Sequence, residues 1–273
     1  MIKKIIPTKE AYAIITGASS GIGIHYARQL FEIGYNVLLV SNQEKEVKEC
    51  AESINNIANS GNNIAVGLYM DLSKTNAATD LLKYCDDNKI FVEVLINNAG
   101  VFYYQDVIDC TIKQIDLMLN LHIYTVTMLC RVFGERMKNR GKGYILNMSS
   151  ISVYTPFAGI SLYTATKSYI RTFSLAFRLE MKDYGIKVLT VCPGAVATDL
   201  YKLPKKLQRL GVRIGVIYKP ELLVKNALKM LFYRNRAQYI PGVINYLFKP
   251  IYAIIPLRIK MWARKKTNSL KGV

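Results

Sequence analysis

A tyrosine and a lysine stand four residues apart in the stretch YTATK, at Tyr163 and Lys167. On a helix, this spacing places both side chains on one face, one turn apart. A free phenol titrates near pH ~10, too high for rapid proton exchange at neutral pH. A neighbouring ammonium favours the phenolate and so lowers the phenol pKa. The pair therefore predicts a tyrosine that gives and takes protons, against the alternative of coincidental packing.

A glycine-rich stretch, TGASSGIG at residues 16–23, offers a second kind of chemistry. Gly17, Gly21 and Gly23 allow the backbone to approach a pyrophosphate, and the N-terminus of a following helix supplies free N–H groups. Its position after the first apolar segment predicts a nucleotide site, where the alternative is a tight strand–helix connection. The stretch NNAG at 97–100 places amides at the end of another apolar segment, where an asparagine-rich turn is the alternative.

These residues need a framework, and the apolar pattern predicts one. Strands are predicted at 12–16, 36–40, 63–69, 92–97, 143–149 and 186–192, with one more at 238–242. Helices are predicted at 22–33, 43–60, 73–88, 112–139, 161–184 and 220–234. Uniformly apolar strands alternating with helices are typical of an α/β fold with a doubly wound parallel sheet of Rossmann type. We expect one domain over residues 1–238 and a basic, apolar C-terminal extension over 239–273.

Composition narrows the class of protein. The chain has 273 residues, 51% of them hydrophobic, which favours a folded globular protein over a disordered one. Its five cysteines include no CxxC pair, which argues against a disulfide framework or a metal site and favours a reducing compartment. The first residues lack the apolar core of a signal peptide. We therefore expect a cytoplasmic protein, peripheral at the inner face of a membrane if its extension binds lipid.

Six motifs occur in one order along the chain. They are TGASSGIG (16–23), NNAG (97–100), Asn120 in MLNLH, NMSS (147–150), YTATK (163–167) and PGAVATD (193–199). With these motifs, residues 10–200 resemble the single-domain short-chain dehydrogenase/reductase family. The extension resembles that family far less, although it is similar in kind to extensions of membrane-associated 3-oxoacyl and hydroxysteroid reductases.

The resemblance implies four catalytic residues. Tyr163 would exchange a proton with the substrate oxygen, and Ser150 would hydrogen-bond that oxygen, with Ser149 less favoured by spacing. Lys167 would bind the nicotinamide ribose and lower the pKa of the tyrosine. Asn120 would hold a water that links Lys167 to solvent. This chemistry requires neither histidine, and we expect a structural or pocket-lining role for His122.

The resemblance also implies a nicotinamide dinucleotide. Its predicted contacts are Gly17, Ser19, Ser20, Gly21, Ile22, Gly23, Ser41, Asn42, Asp71, Asn98, Ala99, Gly100, Tyr163, Lys167, Pro193, Gly194, Val196 and Thr198. An acidic residue after the second strand favours NAD(H), because it repels a 2′-phosphate. The sequence has neutral Ser41 and Asn42 there, so it favours NADP(H) over NAD(H), with Lys45 as an additional contact to the phosphate.

The net charge of +18 is concentrated at one end. Residues 1–200 carry 20 Lys and Arg against 18 Asp and Glu, whereas residues 201–273 carry 17 against Glu221 alone. Residues 239–257 are mostly apolar, but Lys249 and three prolines interrupt them. An apolar segment beside basic residues favours contact with an anionic membrane surface through 239–266. The alternatives are a lid over the substrate or a subunit contact, and a membrane-spanning helix. No nucleic-acid partner is expected, since no binding fold accompanies these charges.

Retention of all four catalytic residues favours an enzyme over a non-catalytic nucleotide sensor. A hydrophobic carbonyl or alcohol substrate, such as a 3-oxoacyl thioester or steroid, is the leading prediction, and a small-metabolite alcohol dehydrogenase is the alternative. The apolar residues behind this preference are Val101, Phe102, Tyr104, Val153, Phe157 and Ile160. The helices at 112–139 and 161–184 resemble those that pair subunits in the family, which predicts a homodimer or homotetramer.

Overall fold

The computed structural model describes residues 7–8, 10–56, 63–155, 157–198, 205–213, 217–242, 256, 258, 259 and 261. Its strands are β1 (Ala11–Thr16), β2 (Asn36–Ser41), β3 (Ala65–Tyr69), β4 (Phe91–Asn97), β5 (Gly143–Met148), β6 (Ile186–Val191) and β7 (Gln238–Tyr239). Its helices are α1 (Gly21–Ile33), α2 (Glu44–Asn55), α3 (Ala77–Asp87), α4 (Ile112–Leu119), α5 (Thr125–Arg140), α6 (Ser161–Lys182), α7 (Lys205–Arg213) and α8 (Pro220–Lys229).

The seven strands form one parallel sheet in the order β3-β2-β1-β4-β5-β6-β7. From β1 the chain first builds outward through β2 and β3, and it then returns to place β4 on the other side of β1. The strand order therefore reverses between β1 and β4, where an open parallel sheet leaves a crevice at the carboxyl ends of its strands. The predicted doubly wound sheet is confirmed.

Both faces of the sheet are covered by helices, which explains why its strands are apolar at nearly every position. On one face, Tyr26 and Leu30 of α1 pack in the same cluster as Val47 of α2 and Leu223 of α8. On the other face, α3, α5 and α6 contribute a second cluster that includes Leu81, Phe133 and Ile170. Because both clusters are buried, a polar residue without a partner on either face of the central strands would cost stability.

Two predicted boundaries move for identifiable reasons. Helix α3 begins at Ala77 rather than at 73, since the Asp71 carboxylate accepts hydrogen bonds from the Ser73 N–H at 3.0 Å and hydroxyl at 2.7 Å. Such an Asx turn competes with helix formation. Helix α6 ends at Lys182 rather than at 184, where Gly185 follows with a φ of +73°. The helix predicted over 43–60 ends at Asn55 in α2, and residues 57–60 lie outside the described part of the chain.

The helix predicted over 112–139 is interrupted at Asn120, one of the predicted catalytic residues. A π turn over Asn120–Tyr124 separates α4 from α5, so the predicted catalytic asparagine opens a local irregularity. Such π turns insert an extra residue and are frequent at functional sites. The combined segment Ile112–Arg140 is long and apolar enough to cross a membrane, yet 56% of its apolar window is buried inside the protein. Its hydrophobicity is therefore accounted for by packing against the sheet.

The additional strand predicted over 238–242 is present as β7, which pairs with β6 at Thr190 and Val191. It includes Tyr239, the first residue assigned to the extension. Most of residues 239–273 lie outside the described part of the chain. Arg258, Ile259 and Met261 are described there, and all three are exposed.

Candidate active site

A crevice of about 420 Å³ opens at the carboxyl ends of the strands, around the reversal between β1 and β4. Its size lies in the range expected for ligand sites. It is lined by Gly17, Ser19, Ser20, Gly21, Ile22, Ser41, Asn42, Gln43, Met70, Asp71, Leu72, Ser73, Asn98, Ala99, Gly100, Val101, Leu117, Leu121, Met148, Ser149, Tyr163, Lys167, Pro193, Gly194, Val196 and Thr198. The crevice therefore gathers residues from all six motif segments, with Leu121 as the contribution of MLNLH.

The glycine turn between β1 and α1 has the shape that a diphosphate requires. Gly17 has a φ of +64°, and a Cβ there would lie 2.8 Å from the Ala99 Cα, so no other residue fits. The first turn of α1 has no acidic residue, and its N-cap Ser20 makes no side-chain capping bond. The N–H groups of this helix end therefore remain available for an anion. The turn fits the diphosphate of a dinucleotide.

The NNAG segment after β4 is fastened to this turn. The Thr16 hydroxyl accepts hydrogen bonds from the N–H groups of Asn98 and Ala99 at 2.9 and 3.0 Å. The Asn98 amide donates to the carbonyls of Thr16 and Gly17 at 3.0 and 3.1 Å. Asn98 therefore holds the two loops together, and its amide nitrogen is already used by the protein.

At the end of the crevice next to β2, neutral polar side chains form a hydrogen-bonded cluster. The Ser19 hydroxyl shares a hydrogen bond with the Ser41 hydroxyl at 2.9 Å and donates to the Gln43 side chain at 2.7 Å. The Gln43 N–H in turn donates to the Ser41 hydroxyl at 3.2 Å. Lys45, predicted to contact a phosphate, instead lies 3.8 Å from Glu49 on the exposed side of α2. Lys45 does not line the crevice, whereas Gln43 does.

Tyr163 and Lys167 lie together on α6, as their spacing predicts. The Lys167 Nζ is 5.7 Å from the centre of the Tyr163 ring and donates to the Met148 carbonyl at 3.0 Å. The Ser149 hydroxyl donates to the Lys167 carbonyl at 2.8 Å, which ties α6 to the end of β5. Burial lowers the pKa of the Lys167 ammonium to about 8. The pKa of this lysine therefore lies close to neutral pH, which is unusual for a lysine side chain.

The other two predicted catalytic residues border the crevice without lining it. Ser150 precedes the 3₁₀ turn Ile151–Tyr154, and its hydroxyl accepts from the Ser152 N–H at 3.2 Å. Its neighbour Ser149 does line the crevice. Asn120 opens the π turn, next to the lining residue Leu121. The positions of Ser150 and Asn120 do not by themselves assign either residue a catalytic role.

Every predicted cofactor contact lines the crevice except Gly23. A Cβ on Gly23 would lie 2.1 Å from the Gly17 carbonyl oxygen, so this glycine shapes the turn from behind. Several lining residues were not predicted from the sequence: Gln43, Met70, Leu72, Ser73, Leu117, Leu121 and Met148. Three of them flank Asp71, and Leu117 and Leu121 are four residues apart on one helical segment. Their proximity to predicted motifs was a usable signal.

An aromatic wall stands beside the tyrosine. The Phe102 ring meets the Tyr163 ring edge-on, with centroids 5.0 Å apart. The Tyr104 ring covers Gly159, where a Cβ would lie 3.1 Å from the ring, and the Gln105 N–H donates to the Gly159 carbonyl at 2.7 Å. The loop after β4 and the loop before α6 thus form an apolar surface next to the tyrosine.

Comparison with known proteins gives a consistent family assignment. Residues 11–207 match the family model described as short chain dehydrogenase. The chain is similar to very-long-chain 3-oxoacyl-CoA reductases, at 32% identity to that of Anas platyrhynchos (96% of this chain, 81% of the relative) and 30% to that of Rattus norvegicus (92% and 77%).

Solved structures with a similar fold include a short-chain dehydrogenase from Sphingobium yanoikuyae in complex with NADPH. Its TM-score is 0.74 at 26% identity, over 90% of this chain and 96% of that one. A 3-ketoacyl-(acyl-carrier-protein) reductase from Brucella melitensis complexed with NADH has a TM-score of 0.73 at 23% identity, over 84% and 94%. This second likeness concerns the fold alone.

Proposed function

Because the chain belongs to the short chain dehydrogenase family, we propose that it is an NADP(H)-dependent reductase of lipid-like carbonyl compounds. The observation that carries this proposal is the placement of Tyr163 and Lys167 on one face of α6, at the wall of a crevice that fits a dinucleotide. A bound reduced nicotinamide supplies the hydride for the substrate carbonyl carbon. The residues of this chain then handle the oxygen and its proton.

In this proposal, Tyr163 donates a proton to the substrate oxygen as negative charge develops on it. Ser150 donates a hydrogen bond to the same oxygen, at the end of β5 beside the crevice. Lys167 holds the ribose and keeps a positive charge close to the phenol, which favours the phenolate left after proton transfer. Asn120 connects this proton path to solvent from the π turn.

The preference for NADP(H) rests on the neutral surface after β2. Ser41, Asn42 and Gln43 line the crevice there, and none of them repels a 2′-phosphate. The NADPH complex of the Sphingobium yanoikuyae relative agrees with this preference.

The preference for a lipid-like substrate rests on two observations. Phe102 and Tyr104 present an apolar surface beside Tyr163. The relatives from Anas platyrhynchos and Rattus norvegicus, which match nearly the whole chain, are very-long-chain 3-oxoacyl-CoA reductases. A 3-oxoacyl thioester combines a reactive ketone with a long apolar chain, which suits such a surface.

The direct test is NADPH oxidation with 3-oxoacyl-CoA thioesters of increasing chain length. We expect kcat/KM to rise with chain length, because each added methylene buries apolar surface. Tyr163→Phe removes the proton donor and should lower kcat about 10²- to 10⁴-fold. Tyr184→Phe, at an exposed tyrosine, is the matched control and should leave kcat unchanged. A protein that binds NADPH but turns over no thioester would contradict the substrate, and full activity of Tyr163→Phe would contradict the mechanism.

Two further proposals concern location and assembly. The basic extension is proposed to lie on an anionic membrane surface, which would bring the crevice close to lipid substrates. A homodimer or homotetramer is proposed to form through α5 and α6, where Tyr169 and Leu179 are exposed. Light scattering during size-exclusion chromatography tests the assembly, and a monomer at micromolar concentration would contradict it.

A further inference from the structure

One buried histidine is not used by the proposed chemistry, yet it lies at the centre of the site. His122 occupies the middle of the π turn and is fully buried. Its ring meets the Tyr163 ring edge-on, with centroids 6.0 Å apart. A Cβ on Gly100 would lie 2.9 Å from His122 Nε2 and 3.5 Å from the Lys167 ammonium. The histidine therefore lies between the cofactor loop after β4 and the catalytic face of α6.

The hydrogen bonds of the ring determine its protonation. The Val101 N–H donates to His122 Nε2 at 3.0 Å. A backbone N–H can only donate, so Nε2 must carry a lone pair, and the hydrogen of the neutral ring resides on Nδ1. His122 Nδ1 lies 2.9 Å from the Thr166 hydroxyl and donates to it. That hydroxyl donates onward to the Tyr163 carbonyl at 2.8 Å.

Both ring nitrogens of His122 are bonded to other groups of the protein, which favours a positioning role over general acid or base catalysis. The groups facing the ring reinforce its neutrality. Tyr163 and Lys167 face it from α6, and the loop after β4 presents Gly100 and the backbone of Val101. Burial and the Lys167 charge hold the pKa of His122 well below its ordinary value. The imidazole thus favours its neutral form, with one hydrogen bond on each side of the ring.

We propose that His122 is a positioning residue, whose Nε2 fixes the cofactor loop Asn98–Val101 and whose Nδ1 fixes the catalytic segment of α6. Val101 lines the crevice directly after Gly100, so its N–H bond sets the position of the loop against the cofactor. Thr166 lies between Tyr163 and Lys167 on α6, so its hydrogen bond with His122 fixes the position of this part of the helix. The part of the proposal that concerns turnover rests on the proposed reductase function.

Two substitutions separate the two bonds. In His122→Gln, the amide oxygen reaches the place of Nε2 and keeps an acceptor for the Val101 N–H, but the donor to Thr166 is lost. In His122→Asn, the amide nitrogen takes the place of Nδ1 and keeps the Thr166 bond, but the acceptor for Val101 is lost. A purely structural role would make the smaller side chain worse for stability without separating cofactor affinity from turnover.

The test is the Kd for NADPH by nicotinamide fluorescence, which needs no substrate. We expect His122→Asn to bind at least tenfold more weakly than the wild type and His122→Gln to bind within threefold of it. His25→Asn and His25→Gln, at the half-buried histidine of α1, are matched controls and should both bind within threefold. Equal affinities for the two His122 variants would overturn the assignment of the cofactor loop to Nε2.

Thr166→Val, a nearly isosteric change, tests the other bond without altering the histidine. We expect kcat to fall at least fivefold while the Kd for NADPH stays within threefold. An unchanged kcat would overturn the role of Nδ1. Failure of the proposed function looks different, because the wild type would then bind NADPH without turnover, and the affinities of the His122 variants would still decide the proposal.

Discussion

Lys167 keeps an ammonium at a position where only 5% of the residue is exposed. Desolvation lowers its pKa to about 8, from an ordinary value of 10.5. Below pH ~8 the folded protein therefore holds a buried charge that the unfolded chain solvates freely. The stability cost is fully present below that pH, and it disappears as the pH rises from about 8 to 10.5, the pKa of a free lysine. The lysine proposed to hold the nicotinamide ribose is thus expected to destabilise the fold.

Lys167→Met is accordingly predicted to abolish turnover and to raise the free energy of unfolding at pH 7 by about 1–3 kcal/mol. The advantage should shrink as the pH rises from about 8 toward 10.5, because the wild-type lysine then becomes neutral in the folded state. Urea unfolding at several pH values measures this. Lys182→Met, at an exposed lysine of α6, is the control. A variant less stable than the wild type at pH 7 would refute the argument.

Asn42 is exposed, follows β2 directly and lines the crevice. Asn42→Asp would place a carboxylate where the 2′-phosphate is proposed to bind, and like charges at this range repel. We expect the Kd for NADPH to rise at least tenfold and the Kd for NADH to change less than threefold. Asn42→Ser, which stays neutral, is the control. Equal losses for both cofactors would show that the 2′-phosphate lies elsewhere.

At the scale of elements, the crevice depends on how closely the β1–α1 turn packs on itself. Gly23→Ala would force a Cβ to within 2.1 Å of the Gly17 carbonyl oxygen, so the turn must shift. Overpacking of this kind costs about 1–3 kcal/mol, and a displaced turn no longer aims its N–H groups at an anion. We expect a matching loss of unfolding free energy and at least tenfold weaker NADPH binding.

Gly141→Ala is the matched control for this prediction. Gly141 has a φ of +70°, but a Cβ there meets no atom within 4 Å. Its substitution should cost about 1 kcal/mol through backbone strain alone and leave NADPH binding unchanged. If both variants bind NADPH equally well, the turn does not carry the diphosphate.

The elements themselves were largely predictable. Strands β1 to β6 were expected within two residues at each end, because a buried strand has a local apolar signature, whereas β7 ends three residues earlier than predicted. The π turn at Asn120–Tyr124 was not expected, since it leaves the apolar periodicity of the helix almost unchanged. The late start of α3 at Ala77 depends on one carboxylate–serine contact, which periodicity does not report.

In the molecule as a whole, the positive charge is concentrated in residues 201–273, apart from the preceding 200 residues. Residues 201–273 carry 17 basic residues against Glu221, while the preceding 200 residues are nearly balanced. Each basic residue near an anionic bilayer contributes about 1 kcal/mol of attraction, which salt screens. The full chain is predicted to co-sediment with vesicles that contain phosphatidylserine, and not with pure phosphatidylcholine or at high salt.

Reversal of three charges in the extension, Arg264→Glu, Lys265→Glu and Lys266→Glu, should reduce this binding at least tenfold. The matched reversal on the body uses the exposed lysines Lys83, Lys113 and Lys182 and should change it less than threefold. An equal effect of both sets would indicate general electrostatic attraction, and no binding by the wild type would favour a lid or subunit contact for the extension.

Features that depend on neighbours along the chain were predictable from the sequence. Apolar periodicity predicted the sheet and its covering helices, the glycine spacing predicted the turn that fits a diphosphate, and four-residue spacing predicted that Tyr163 and Lys167 share a helix face. The contacts between side chains distant in sequence became visible in the folded protein alone. The fold turned Lys45 toward Glu49, brought Gln43 to Ser19 and joined His122 to both Val101 and Thr166. Hydrogen bonds between segments far apart in sequence leave no local pattern, because their geometry exists only once the sheet has brought the loops together.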